Sequence, residues 1–324
     1  MSKAFRFHEH GGPEVLRFED VAAGAPGPGE VLLRNEAVAV NYRDILLRRG
    51  AHRAAALPSG IGLESAGTIA AIGDGVSDLG VGDRVACVAG PDGAYATHRI
   101  VPAARVVRLP AAIPARTAAA MMIRGMTARY LLHETYRVKP GDTILVHAAA
   151  GGVGLIMCQW AKHLGATVIG TVGSAAKAEI ARAHGCDHPV VHGEDVVARV
   201  KALTDGRGVP VVYDSIGRAT FEGSLACLAR RGILASFGEA SGDPEPVAPR
   251  RLGALGSLYV THPSLGDYTA TRAELLATAN HLFDMVASGK IRIEISAAYP
   301  LRDAARAQAD MEARRTTGSI VLVV

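Results

Sequence analysis

The sequence predicts an α/β fold in two parts, a β-rich barrel-like unit followed by a doubly wound parallel sheet. Three observations carry this expectation. Short alternating segments fill the first 120 or so residues, apolar strands alternate with helix-length amphipathic segments from Gly141 onward, and a glycine-rich turn joins one such strand to one such helix. At 324 residues the chain is about twice the ~150-residue domain prior, enough to bury a full core in each part.

In the first part, segments such as 30–40 and 68–72 are cut by Pro26, Gly27, Pro28, Gly29, Gly73, Gly75, Gly80 and Gly82, the punctuation of short β-strands. Strands are then expected at 143–148, 167–172, 189–191, 211–215 and 233–237, with crossover helices between them. The tail predicts a packed helix over 272–287. Thr271 and Glu274 have capping-box spacing, Leu275, Leu276, Ala279, Leu282, Phe283 and Val286 form an apolar face, and Gly289 closes the helix. Residues 319–324 form a strand-like run that rejoins the first unit.

Composition excludes several classes. Hydrophobic residues at 49% against 20% charged exclude disorder for most of the length. A net charge of +4 without a basic run argues against a dedicated nucleic-acid binder. Cys87, Cys158, Cys186 and Cys227 lie far apart with no CxxC spacing, which reads as reduced core thiols in a cytoplasmic protein. His8, Glu9 and His10 interrupt the N-terminus where a secretory signal needs an apolar stretch. The longest apolar stretch, 144–158, is broken by His147 and three glycines and is too short for a bilayer span.

Residues 147–154, His-Ala-Ala-Ala-Gly-Gly-Val-Gly, carry the most weight. Ala149, Gly151 and Gly154 occupy the spacing of GxGxxG, with alanine in first place. The pattern supplies a tight turn, close approach of backbone to a pyrophosphate, and helix-on-sheet packing, with the anion at unpaired N–H groups of the helix start. At the end of the next strand an NAD site would present an acid to the ribose. The sequence there, 170–177, reads Gly-Thr-Val-Gly-Ser-Ala-Ala-Lys and holds no carboxylate. Ser174 can approach a 2′-phosphate and Lys177 can neutralise it, which favours NADPH. The other reading of Lys177 is a solvated lysine on the following helix.

On these residues the chain resembles the zinc-independent medium-chain dehydrogenase/reductases, and within them the NADPH:quinone oxidoreductases related to zeta-crystallin. The resemblance runs from end to end. Its most specific stretches are 147–162, 170–177, 212–217 (VYDSIG), 236–238, 256–265 (GSLYVTHPSL) and 317–319, with 39–44, 62–67 and 82–85 in the first unit. It implies a GroES-like catalytic domain built from 1–124 and 263–324, and a Rossmann domain at 125–262. It also implies a nicotinamide-binding cleft, and a homodimer through the cofactor domains involving the strand around 257–261. Where zinc-dependent relatives carry a cysteine and a histidine as ligands, this chain has Asn41 and Leu63, and leucine has no ligand atom. No clustered cysteines occur in 89–101, so no metal site is expected; the twelve histidines read as solvated or hydrogen-bonded.

The resemblance also implies a cofactor set. Asn41 and Tyr130 serve the nicotinamide end. Ala149, Gly151, Gly152 and Val153 serve the pyrophosphate; Gly173, Ser174 and Lys177 serve the adenosine phosphate, with His192 near the adenine. Ser215, Phe237, Gly238 and Ser264 line the remaining groove, and Arg314 reaches in from the returning tail. Asn41 also reads as a polar turn after a strand, and Tyr130 as a half-buried helix aromatic. The chain departs from common family residues at Leu46, His52, His192, Glu239 and His262.

The expected chemistry is direct hydride transfer from NADPH to a quinone, with Asn41, Tyr42 and His52 as candidate catalytic residues nearest the developing oxyanion. His52 is also readable as a cleft-rim histidine without that duty. His147 and Ser215 suggest a nucleophile set, but strand-end positions in a cofactor groove explain both. Two alternatives stand beside quinone reduction: an NADPH-dependent enone or alkenal reductase, and a nucleotide-binding structural or RNA-binding protein.

Overall fold

The computed structural model describes residues 2–52, 54, 56–88 and 90–324. Met1 and Ala89, which open the segments read above for a leader and for clustered cysteines, lie outside the described residues. Two compact units divide the chain. The first runs to Ile123 and takes back Thr269–Ala287 and Ile293–Val324; the second comprises Arg124–Tyr268 with Ser288–Arg292.

The first unit starts with β1 (Ser2–Phe7), β2 (Leu16–Val21), β3 (Glu30–Val40), α1 (Tyr42–Arg49), β4 (Ser59–Gly60) and β5 (Ser65–Ile72). It continues through β6 (Arg84–Cys87), β7 (His98–Pro102), β8 (Val106–Arg108) and α2 (Ala115–Tyr130), which leads out of it. The eleven-residue β3 organises this unit. One edge pairs with β5, and the other is covered by β7 along Glu30–Arg34. Val31, Leu33, Val38, Ala39 and Val40 are fully buried, so the strand that delivers Asn41 is held by core on both faces near its end.

The second unit alternates β9 (Thr143–Val146), α3 (Gly152–His163), β10 (Thr167–Val172), α4 (Ala175–Ala183), β11 (His188–Val191) and α5 (Val196–Leu203). Then come β12 (Val209–Asp214), α6 (Phe221–Cys227), β13 (Leu228–Ser236), α7 (Pro249–Ala254) and β14 (Tyr259–Thr261). The six strands run parallel in the order β11-β10-β9-β12-β13-β14. The chain winds outward from β9 in one direction and from β12 in the other, so loops diverge at the β9/β12 boundary and leave a crevice at the strand C-termini. Leu145, Ile169, Val190, Val212, Leu225 and Leu234 form its core. Each such side chain contributes about 1.5–3 kcal/mol on burial.

β13 begins five residues before the expected strand. Its register against β12 passes from Leu228 opposite Val209 to Ile233 opposite Val211, and Arg231 adopts φ +59° at this irregularity. A bulge absorbs the Arg-Arg-Gly segment.

The chain returns through α8 (Arg272–Ala287), β15 (Ile295–Pro300), α9 (Ala304–Glu312) and β16 (Ser319–Val323). Thr271 N–H donates to Glu274 Oε2 at 2.9 Å and Glu274 N–H to Thr271 Oγ1 at 3.2 Å, the reciprocal cap its spacing predicts. β16 pairs with Ala37–Val40 of β3, so the end of the chain seals the edge of β3 that leads to Asn41. All four cysteines are buried and free of disulfides. Among the described residues no helix is long and apolar enough to cross a membrane.

Candidate functional site

At the C-terminal end of β9 the chain turns at Ala148, with φ +52°, and α3 starts after Gly151. The left-handed residue is therefore Ala148, one place before the alanine that fills the first position of the glycine pattern. Ala149 itself is fully buried, its N–H donating to Thr171 O at 2.9 Å. Its methyl group is accommodated by a glycine elsewhere. A Cβ on Gly170 would fall 2.6 Å from Ala149 Cβ and 2.6 Å from Cys186 Sγ. At Gly154 a Cβ would fall 2.3 Å from Ala148 O, so only glycine lets α3 pack this closely on the turn. The first N–H of α3 to be taken inside the helix is that of Leu155, by Gly151 O at 2.9 Å. The N–H groups of Gly152 and Val153 precede it, and the first turn of a helix leaves such donors for an anion.

The next strand ends beside this turn. A Cβ at Gly173 would meet nothing within 4 Å, so the backbone there is open to close approach. Ser174 caps α4, its Oγ accepting from Lys177 N–H at 3.3 Å, and this fixes Lys177 in the first turn, half-buried. His192 is exposed after β11, its N–H bonded to Val172 O at 2.8 Å. Ser215 follows β12 and Gly238 lies just beyond β13, and the two are in close contact: a Cβ on Gly238 would lie 2.9 Å from Ser215 O. Phe237 is half-buried and donates its N–H to Asp214 O at 2.8 Å; Ser264 is exposed beyond β14. The structure thus brings Gly151, Gly152, Val153, Gly173, Ser174, Lys177, His192, Ser215, Phe237, Gly238 and Ser264 to the C-terminal side of one parallel sheet.

Tyr130, in α2, is 2% exposed. It stacks on Tyr268 with ring centroids 4.3 Å apart, and its hydroxyl donates to Pro263 O at 3.3 Å. Burial pushes its phenol well above the usual range, so the hydroxyl keeps its proton and remains a donor. It is more deeply packed than the half-buried aromatic of the sequence reading.

In the first unit, Asn41 precedes α1 and is 8% exposed. Its amide Nδ2 donates to Glu64 Oε1 at 2.9 Å, and Glu64 Oε2 accepts from Ile123 N–H at 2.7 Å. Glu64 is completely buried, so the amide plane of Asn41 is set by a carboxyl that cannot move into solvent. Asp44, also fully buried, accepts from Asn41 N–H at 2.9 Å and from the Tyr95 hydroxyl at 3.0 Å. Its Oδ1 has no hydrogen-bond partner. Burial, with Glu64 nearby, pushes its carboxyl from 3.8 up to about 7. Tyr42 opens α1 and is half-buried. Leu46 and His52 are half-buried, and His52 N–H bonds back to Leu46 O at 3.2 Å. Arg314 is exposed after α9, at φ +56°.

The sequence reads both Asp44 and Glu64 only as framework, within 39–44 and 62–67, although the Asn41–Asp44 spacing is that of a capping box. The His147 ring, which the sequence places at a strand end without a nucleophile role, contacts Ser224 and Thr171. Nε2 lies 3.0 Å from Ser224 Oγ and Nδ1 lies 2.9 Å from Thr171 Oγ1. Burial pushes the His147 imidazole down, toward its neutral form, with Asp214 opposing. Among the described residues no three His, Cys, Asp or Glu side chains converge as metal ligands.

Two families match the chain: zinc-binding dehydrogenase over residues 152–281 and alcohol dehydrogenase GroES-like domain over residues 27–111. The chain is 50% identical to a quinone oxidoreductase of Pseudomonas aeruginosa over the whole of both proteins. It is 44% identical to a 2-haloacrylate reductase of a Burkholderia species, over all of this chain and 99% of that protein. The crystal structure of Escherichia coli quinone oxidoreductase complexed with NADPH superposes with a TM-score of 0.98 at 45% identity, covering 99% of this chain and 100% of that one.

Proposed function

Because the chain belongs to the quinone oxidoreductase family of the medium-chain dehydrogenase/reductases, we propose that it is an NADPH-dependent oxidoreductase that reduces quinones. The observation that carries this reading is the pair of openings at the ends of β9 and β10. There is a helix start with unpaired N–H groups, packed so tightly that Gly154 admits no Cβ. Beside it lies an open Gly173, followed by Ser174 and Lys177 with no acid among them. These residues fit a dinucleotide carrying a 2′-phosphate.

Gly151, Gly152 and Val153 would hold the pyrophosphate through backbone N–H groups. Ser174 and Lys177 would hold the adenosine phosphate as hydrogen-bond donor and point charge. Ser215, Phe237, Gly238, Ser264, Tyr130 and His192 complete the proposed groove of the second unit, and Arg314 is proposed as a further cofactor contact. When bound, NADPH supplies a hydride for the acceptor carbon. The protein orients the acceptor and excludes water, and Asn41 and Tyr42 offer donors to the oxygen that gains charge. The Asn41 amide, anchored through one hydrogen to Glu64, has its second hydrogen for that task. His52 is the candidate to deliver the proton that completes quinol formation. Asn41 and Leu63 stand where zinc-dependent relatives carry ligands, so no step is assigned to a metal.

Reduction of a conjugated alkene is the second reading, favoured by the likeness to 2-haloacrylate reductase. We place the protein in the cytoplasm as a homodimer, with the edge strand β14, which among the described residues pairs only with β13, as the joining edge. Initial rates with NADPH and NADH against a small quinone and an α,β-unsaturated acid test the activity. Lys177→Ala should lower the preference for NADPH over NADH by about tenfold. Unchanged preference would sink the 2′-phosphate assignment, and an unaltered pH profile in His52→Phe would remove that histidine from proton delivery.

A further inference from the structure

A chain of hydrogen bonds, buried except at its Thr171 end, crosses the sheet at the boundary where the loops diverge. Thr171 stands near the end of β10, His147 follows β9, Asp214 ends β12, and Ser224 projects from α6. His147, Ser224 and Asp214 are 4%, 0% and 1% exposed. Ser224 Oγ donates to Asp214 Oδ2 at 2.7 Å. A serine hydroxyl has one hydrogen, so Ser224 must accept from His147, whose Nε2 carries the proton. In the neutral imidazole Nδ1 is then an acceptor, and it takes the Thr171 hydroxyl. Every donor therefore points the same way, from Thr171 through His147 and Ser224 to Asp214.

Each end of this chain grips a different loop. Thr171 Oγ1 accepts from Ala148 N–H at 3.3 Å, at the turn that leads into α3. Asp214 Oδ1 accepts from Ile216 N–H at 2.8 Å and Gly217 N–H at 3.1 Å, which shapes the loop holding Ser215. Thr220 Oγ1 also donates to the Asp214 carboxyl, at 2.9 and 2.7 Å to its two oxygens.

We propose that Thr171, His147, Ser224 and Asp214 form one positioning unit that holds the 148–153 turn and the 215–217 loop in register, so that affinity for the dinucleotide depends on the unbroken chain. The proposal rests on the NADPH reading above. None of the four acts on the substrate; they act through the backbone groups of the two loops.

The test is a double-mutant cycle on the full-length protein, with Thr171→Val and Ser224→Ala, which do not touch each other. NADPH binding is followed by the fluorescence of the cofactor. Each single variant should weaken binding about tenfold, and the double should stay within about threefold of the weaker single, because one break already severs the chain. KM for NADPH should rise while kcat at saturation holds, and Thr171→Ser should restore binding. Effects that multiply, or singles that bind like the unaltered protein, overturn the proposal. Nitrogen-15 NMR of the His147 ring in the unaltered, cofactor-free protein decides the matter if the variants fail to fold: the Nε2–H tautomer is expected, and the Nδ1–H tautomer overturns the chain. If the unaltered protein does not bind NADPH, the cofactor reading falls and takes the proposal with it, whereas binding with multiplicative effects overturns the proposal alone.

Discussion

Replacing Asp44 by asparagine should change how stability depends on pH. The carboxyl is fully buried, and its folded-state value is about 7 against 3.8 for an unperturbed group. That rise corresponds to about 4 kcal/mol against the ionised form in the folded state. Because the folded value lies above the unfolded one, the stability linked to this proton is fully present below about pH 4. It is lost as pH rises through about 7. An amide in Asp44→Asn keeps an oxygen to accept from Asn41 N–H and Tyr95, yet it has no charge to bury. Urea unfolding followed by far-ultraviolet circular dichroism at pH 5 and pH 8 measures the difference. Other titrating groups cancel between variant and parent. The variant should gain about 3 kcal/mol on the parent between the two pH values. Stability curves that run parallel from pH 5 to pH 8 would refute the reasoning, since they would mean that Asp44 titrates alike in folded and unfolded chains.

Two further substitutions probe the packing around the site. Gly170→Ala places a methyl 2.6 Å from Ala149 Cβ and from Cys186 Sγ, and should cost about 1–3 kcal/mol in thermal unfolding. Adding Ala149→Gly should recover the share due to the first contact; no recovery would show that the two positions are not matched. Glu64→Gln turns one acceptor into a donor facing either Asn41 Nδ2 or Ile123 N–H. It should destabilise by about 1–3 kcal/mol and lower kcat. A variant with parental kcat would show that the Asn41 amide does not need its anchor.

The periodicities and punctuation of the sequence determined the two architectures, because strand alternation, βαβ rhythm and a capped tail helix are local properties of the chain. The glycine turn at 147–154 and the absence of an acid at 173–177 were likewise legible, since each task there belongs to residues a few positions apart. Tertiary structure alone decided the rest. Ala149 is tolerated at a glycine position because Gly170, on another strand, leaves room for its methyl. Asn41 looks like a turn residue until Glu64, which follows it by more than twenty positions, takes its amide. His147 lies next to the glycine turn, yet its partners Thr171 and Ser224 arrive from separate crossovers, and Ser224 is 77 residues away. Hydrogen bonds and van der Waals contacts act over a few ångströms in space whatever their separation along the chain, so only the folded sheet brings these side chains within reach.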